Sequence, residues 1–85
     1  MNYDYEGLET ELRDLVRAIT LNAPEIDEVE KFLSAGEYGL AFETLCGICS
    51  EENKRVPSGL RQKVRELAER MDIDPVWWEN LLSID

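Results

Sequence analysis

The sequence predicts an all-α fold, a small compact bundle of four to five short helices. Apolar residues recur at alternating steps of three and four along most of the chain, and no stretch alternates with a period of two for long enough to form a strand. Proline, glycine or asparagine separates the periodic segments. Because 85 residues suffice for one hydrophobic core, residues 1–85 are expected to form a single domain.

One apolar stripe near the N-terminus predicts the first helix. The stripe consists of Tyr5, Leu8, Leu12, Leu15 and Ile19. The helix is expected to end near Leu21 and Asn22, because the next segment carries start signals of its own. Asn22 or Ala23 caps the second helix, and Pro24 fits its first turn.

The second helix is predicted to bury a stripe formed by Ile26, Val29 and Leu33. Gly36 ends it, because glycine takes the left-handed conformation beyond a helix C-terminus most readily. Ser34 and Glu37 have the spacing of a capping box, so the pair is expected to cap the third helix.

The third helix contains the only two cysteines, spaced C-x-x-C in GEYGLAFETLCGICSEE at residues 36–52. At about 100° per residue, both fall on one arc with aliphatic and aromatic side chains. That arc holds Tyr38, Ala41, Phe42, Leu45, Cys46, Ile48 and Cys49. A thioredoxin-like site requires a strand before the C-x-x-C sequence, and no strand signal precedes it here. A structural zinc site usually needs four ligands, and two cysteines without any histidine are too few. We therefore predict buried thiols, with no metal and no cofactor.

A polar loop, SEENKRVPSG at residues 50–59, separates these helices from two more. The stripe of the fourth helix consists of Leu60, Val64, Leu67 and Met71. Asp74 and Pro75 are suited to begin the fifth. Trp77 and Trp78 lie about 100° apart on that helix, so one is expected to pack on the core and the other to be partly exposed.

The charge is strongly acidic and unevenly distributed. Nineteen acids oppose nine bases, a net charge of −10, and residues 1–52 carry thirteen of the acids but only three of the bases. Such a charge repels nucleic acid and anionic membranes and attracts a basic partner. The acidic N-terminus has no signal-peptide pattern, and no apolar run reaches the roughly 20 residues of a membrane span. A cytoplasmic location is expected.

Catalytic residues are not predicted. Histidine is absent, no glycine-rich phosphate loop occurs, and the serines have no neighbouring base. Carboxylate pairs such as Glu25 with Glu28 are expected on the solvent-exposed side of a helix. The sequence gives no sign of the concave pocket that a catalytic carboxylate pair needs. The protein is therefore not expected to be an enzyme.

Two segments carry a resemblance to a known family. EIDEVEKFLSAGEYGLAFETLC, followed downstream by VRELAERMDIDPVWWENLL, resembles the MafI-type immunity proteins of polymorphic bacterial toxin systems. The resemblance extends from about Leu8 to Leu82, and its best part comprises Gly36, Glu37, Gly39, Leu40, Ala41 and Glu43. It departs from the family at Phe42, where a smaller aliphatic residue is expected, and in the CGIC sequence. The resemblance implies a small cytosolic protein that binds a cognate toxin domain, often a nuclease.

The candidate partner-binding residues lie opposite the cysteines. Leu40, Glu43, Gly47 and Glu51 share the outward arc of the third helix, and Glu30 and Glu37 extend this acidic surface. An exposed leucine among carboxylates suits a hot spot with a charged rim. Alternatively, a neighbouring helix packs closely over Gly39 and Gly47.

The functional prediction is an immunity protein that binds a basic toxin domain as a monomer, without direct contact to nucleic acid or membrane. Charge alone does not imply that it imitates nucleic acid, because an immunity protein can also bind beside the active site. One alternative is an acidic nucleic-acid mimic that inhibits a host or phage enzyme acting on DNA or RNA. Another is a structural module that dimerises through Leu40 and the tryptophans.

Overall fold

The computed structural model describes residues 5–82, with side chains from Gly7 onward, so the predicted burial of Tyr5 lies outside the described part. Five α-helices follow one another: α1 (Tyr5–Ala18), α2 (Ala23–Ser34), α3 (Tyr38–Glu51), α4 (Arg61–Arg70) and α5 (Pro75–Leu82). A 3₁₀ turn at Ser58–Leu60 leads into α4. Residues 5–82 contain no strand, which confirms the predicted all-α class for this part of the chain.

The first helix is shorter than predicted. It ends at Ala18, where Leu21 or Asn22 was expected, because Asn22 already belongs to the start of α2. The Asn22 side chain accepts a hydrogen bond from the Glu25 backbone N–H at 3.0 Å, and the Glu25 carboxylate accepts one from the Asn22 N–H at 2.8 Å. This capping box fixes the N-terminus of α2, with Pro24 in its first turn as predicted.

Three helices end in the same way. The residue after the cap of α2, α3 and α4 has a positive φ: 76° at Gly36, 53° at Asn53 and 58° at Asp72. In each case the next N–H donates to a carbonyl five residues earlier: Glu37 to Phe32 at 2.9 Å, Lys54 to Cys49 at 3.0 Å and Ile73 to Ala68 at 2.9 Å. These are Schellman motifs, and they confirm the left-handed position predicted at Gly36.

The predicted capping box between Ser34 and Glu37 is wrong. Glu37 occupies the N-cap position of α3 but makes no side-chain capping bond. The Ser34 hydroxyl, on the last residue of α2, donates instead to Glu30 at 3.2 Å. The cause is the left-handed turn at Gly36, which separates Ser34 from the N-terminus of α3.

α3 lies at the centre of the packing. It contacts α1, α2 and α5, and α4 packs on α5. The largest fully buried side chains are Phe42, Leu12, Leu67, Val29, Val64, Cys46 and Cys49. The predicted burial of both thiols is confirmed, and desolvation raises the pKa of Cys46 to about 12 and that of Cys49 to about 11. Both are free cysteines held in the neutral thiol form.

The two tryptophans separate as predicted. Trp78 is buried, and its indole N–H donates to the Ile73 carbonyl at 3.1 Å, whereas Trp77 remains 45% exposed.

Two apolar residues depart from expectation. Val56 is buried within the loop that was predicted to be polar, and Ile26 is exposed although it was placed in the buried stripe of α2. Ile26 lines an open groove of about 500 Å³ between α1 and α2, which no described residue fills.

Candidate functional site

The outward side of α3 carries four of the six predicted contact residues. Ala41, Phe42, Leu45, Cys46 and Cys49 point inward and are buried. On the opposite side, Leu40 and Glu51 are exposed, and Glu43 and Gly47 are half-buried. We call these four residues the α3 face. Leu40 keeps 45% of its surface accessible, so a large apolar side chain of α3 stands partly in solvent.

The two glycines of α3 have different surroundings. A Cβ at Gly39 would lie 3.7 Å from the Cδ1 of Ile73, an ordinary van der Waals contact with the segment before α5. A Cβ at Gly47 would have no such neighbour within 4 Å. The alternative that a helix packs closely over both glycines is therefore wrong for Gly47, and the surface there is open.

Glu37 extends the α3 face at its N-terminal end. It is exposed and, with Leu40, lines a shallow groove of about 420 Å³ whose other walls include Leu8 and Met71. Tyr38 also lines this groove, but its hydroxyl donates to a carboxylate oxygen of Glu9 at 3.1 Å and so joins α3 to α1. The expected placement of Tyr38 toward the inside is met in part, because it is half-buried against the core.

Glu30 has a structural role that the sequence pattern did not reveal. Its carboxylate accepts hydrogen bonds from the Arg13 guanidinium at 2.6 Å and from Ser34 at 3.2 Å, and Arg13 also donates to Glu9 at 2.9 Å. The hydrogen bonds from Arg13 hold the pKa of Glu30 below its usual value. Glu30 therefore joins α2 to α1, and its negative charge is matched within the fold.

Other carboxylates also form ion pairs with lysine and arginine side chains of this protein. Glu11 on α1 lies 2.7 Å from Lys63 and 2.6 Å from Arg70, both on α4. Glu25 pairs with Lys54 at 3.3 Å and so joins the start of α2 to the loop after α3. None of the ion pairs described here involves Glu37, Glu43 or Glu51. The acids that join helices are thus different residues from the acids on the α3 face.

The described residues offer no site for metal chemistry. No group of three or more potential ligands is close enough to hold an ion within residues 7–82. The buried thiols are not nucleophiles at neutral pH, because their pKa values are raised by burial. Within the described part, no helix combines the length and apolar character required to cross a bilayer.

Comparison of the chain with models of known protein families, with curated proteins and with solved structures finds no match. The resemblance to MafI-type immunity proteins therefore stays a prediction, based on the segments quoted above. The α3 face thus combines an exposed leucine, an open position at Gly47, and carboxylates at both ends.

Proposed function

We propose that the protein is an immunity protein, which binds and neutralises a cognate bacterial toxin domain with a basic surface, of the nuclease class. The observation that carries the proposal is the α3 face. Leu40 is exposed there, and Glu37, Glu43 and Glu51 are carboxylates that take no part in the ion pairs joining the helices. The resemblance to MafI-type proteins supports the same reading.

The two kinds of side chain on this face would act differently. Burying Leu40 under a partner removes apolar surface from water and supplies affinity, as side chains at the centre of interfaces do. The rim carboxylates accelerate encounter with a cationic surface and exclude wrong partners. Because these acids are not needed by the helix-joining pairs, lysine or arginine of a partner can bind them without weakening the fold.

The spacing of the acids favours an immunity protein over a nucleic-acid mimic. Glu37, Glu43 and Glu51 extend along about 21 Å of α3, given a rise of about 1.5 Å per residue. A DNA duplex of that length carries about twelve phosphate charges, since it bears one per ~1.7 Å. Three carboxylates around a leucine reproduce that density poorly, and they suit a contact in which an apolar centre supplies the affinity.

The first test uses the product of the gene immediately upstream as the probe. We expect its expression to stop growth and co-expression of this protein to restore it. Calorimetry of the purified pair should give one-to-one binding with a Kd of about 1 nM or below. An upstream product that is harmless, or that does not bind, contradicts the proposal and directs attention to host enzymes that act on DNA or RNA.

A charge reversal locates the contact. Glu43→Lys should weaken binding about 30-fold, the size of an interface hot spot, because it places a cation against a basic partner. Glu69→Lys is the matched control, since it changes the net charge equally from an exposed position on α4. Equal losses in both variants would mean that the attraction is not localised on the α3 face.

A further inference from the structure

The groove beside Leu40 is formed by three separate parts of the chain. Its volume is about 420 Å³, and its larger apolar and aromatic lining residues come from α1, from the first turn of α3 and from the C-cap of α4: Leu8, Tyr38, Leu40 and Met71. We call it the Leu40 groove. Leu8 is buried, Met71 is half-buried and Leu40 is 45% exposed, so the apolar lining extends from the core to the solvent.

Glu37 is the one charged residue among the described residues that line the Leu40 groove. It is exposed, makes no capping bond to α3 and takes part in none of the ion pairs between described residues. The Tyr38 hydroxyl, by contrast, donates to Glu9 at 3.1 Å, which fixes the position of Tyr38 at the groove. The groove therefore combines apolar walls, a fixed aromatic residue and a carboxylate that is available to a partner.

This combination matches the chemistry of one kind of side chain. Arginine has an apolar stem of methylene groups and a planar guanidinium that is always charged. Apolar walls suit the stem, whereas a carboxylate and an aromatic ring both attract the guanidinium. Lysine has the same charge, but its ammonium is more strongly hydrated and cannot bind a carboxylate in the bidentate way.

We propose that an arginine of the toxin domain inserts into the Leu40 groove, with its stem against Leu40 and Met71 and its guanidinium at the Glu37 carboxylate beside Tyr38. The inference rests on the proposed function and adds the partner side chain that this surface recognises. Charge complementarity argues for this occupant, because the groove carries a negative charge and the proposed partner is basic. A second copy of this chain also has a net charge of −10, and two such molecules repel each other.

One pair of variants tests the apolar wall. Met71→Gln preserves the length of the side chain but makes it polar, so binding to the purified upstream gene product should weaken about 10-fold. Leu60→Gln is the matched control, because Leu60 is also partly buried against the core but lies outside the Leu40 groove. It should change binding less than about 3-fold, measured at a temperature at which circular dichroism shows both variants to be folded.

A second pair of variants tests the carboxylate. Glu37→Gln removes the charge at nearly constant size and should weaken the same binding about 10-fold. Glu52→Gln is the matched control, because Glu52 is exposed at the other end of α3 and lies outside the groove. Since both variants change the net charge equally, Glu52→Gln should weaken binding less than about 3-fold.

A double-mutant cycle identifies the arginine of the partner. The arginines of the upstream gene product are replaced by lysine one at a time, and each variant is titrated against the wild type and against Glu37→Gln. One replacement should weaken binding to the wild type about 10-fold but binding to Glu37→Gln less than about 3-fold, because the second variant has already lost the pair. If no arginine is coupled to Glu37 in this way, the proposal is overturned.

The outcomes separate this inference from the proposed function. If the wild type binds and protects and Glu43→Lys weakens binding, but Met71→Gln and Glu37→Gln bind as the wild type does, the inference is overturned and the proposed function stands. If the wild type neither binds nor protects, both fail.

Two further results would place a different occupant in the groove. A wild-type dimer in sedimentation that Met71→Gln dissociates would place a second copy there. Deletion of residues 2–4 that strengthens binding about 10-fold would place the N-terminal residues of this chain there, because they would compete with the partner. Either result overturns the proposed occupant.

Discussion

At the scale of single residues, the backbone conformation of three positions determines how the helices stop. Gly36, Asn53 and Asp72 all have a positive φ, but only the first is a glycine. Asparagine and aspartate adopt the left-handed region more readily than other residues with a side chain, yet their Cβ atoms still cause steric strain there. The helix ends are therefore places where stability can be changed without touching the core.

Substitutions at these positions should act through the backbone alone. Gly36→Ala should destabilise the protein by about 1 kcal/mol, because a Cβ is strained at φ 76° even though no atom lies within 4 Å of it. Asp72→Gly should stabilise it by about 0.5–1 kcal/mol. Urea titration measures both changes. Gly59→Ala is the control without a positive φ, and a loss there equal to that of Gly36→Ala would refute the conformational explanation.

Burial makes a second prediction at this scale, for the thiols. Cys46 and Cys49 are 2% and 0% exposed, with pKa values raised to about 12 and about 11. In the native protein at pH 8 both should resist a disulfide reagent, and urea should release their reactivity in parallel with the loss of helical circular dichroism. Fast reaction of either thiol in the absence of denaturant would contradict the buried placement. Cys46→Ser should leave partner binding unchanged at temperatures where the variant remains folded.

At the scale of elements, ion pairs between helices add to the hydrophobic core, to which all five helices contribute side chains. Glu11 joins α1 to α4 through Lys63 and Arg70, and Glu30 joins α2 to α1 through Arg13. The hydrogen bonds from Lys63 and Arg70 hold the pKa of Glu11 below its ordinary value of 4.5. The Glu11 carboxylate thus stabilises the fold above pH 4.5, and this contribution is lost as pH falls through the lower pKa of the folded state.

Glu11→Gln tests this linkage. At pH 7 the variant should lose about 0.5–1 kcal/mol of stability, a modest amount because the pairs are partly exposed and screened by salt. As pH falls below 4.5 the difference from the wild type should shrink, since the wild-type carboxylate also becomes neutral. Melting temperatures between pH 3 and pH 7 measure this. A difference that persists unchanged at pH 3 would show that charge is not the cause.

The contrast between local and non-local features explains how far the sequence predicts this molecule. Helices, the buried cysteines and the separation of Trp77 from Trp78 follow from spacing within a few residues, and these predictions are confirmed. The pairing of Arg13 with Glu30 spans 17 residues and depends on how α1 and α2 dock, which periodicity does not encode. Ile26 was misplaced for the same reason, because the groove beside it exists only once both helices are in position.

The candidate site divides along the same line. The outward arc of α3 could be read from helix geometry, and the structure places Leu40, Glu43, Gly47 and Glu51 together there. Whether a neighbour covers Gly47 could not be read, since it depends on where α5 lies. The structural use of Glu30 was equally hidden. The sequence pattern identifies the outward face of a helix. The packing of the other helices then decides which residues of that face remain exposed and outside the contacts of the fold.

At the scale of the whole molecule, a net charge of −10 acts on a body of only 36 × 25 × 21 Å. At an ionic strength of about 0.01 M the Debye length is about 30 Å, so nearly every charge interacts with every other. Each exposed ion pair contributes only about 0–1 kcal/mol, and acids outnumber bases nineteen to nine, so we expect the mutual repulsion of the unmatched acids to outweigh the pairs.

Salt should therefore stabilise the fold. Raising the ionic strength from about 0.01 M to about 1 M should increase the free energy of unfolding by about 1 kcal/mol or more, or about 4–8 °C in melting temperature. Calorimetric scans in a salt series measure this. Glu69→Lys, with a net charge nearer zero, should respond less. A melting temperature that falls with salt would mean that the ion pairs between helices outweigh the repulsion.

The two-sided character of α3 has a consequence for how such a protein changes over time. The inward side chains that hold the core and the outward side chains of the α3 face alternate along one helix, and no other side chain or helix lies within 4 Å of a Cβ at Gly47. Mutations at Gly47 can therefore alter the α3 face in single steps, with little change in folding stability. Under the proposed function, a lineage that meets a new toxin domain could retune its specificity on this helix while the scaffold beneath it stays as it is.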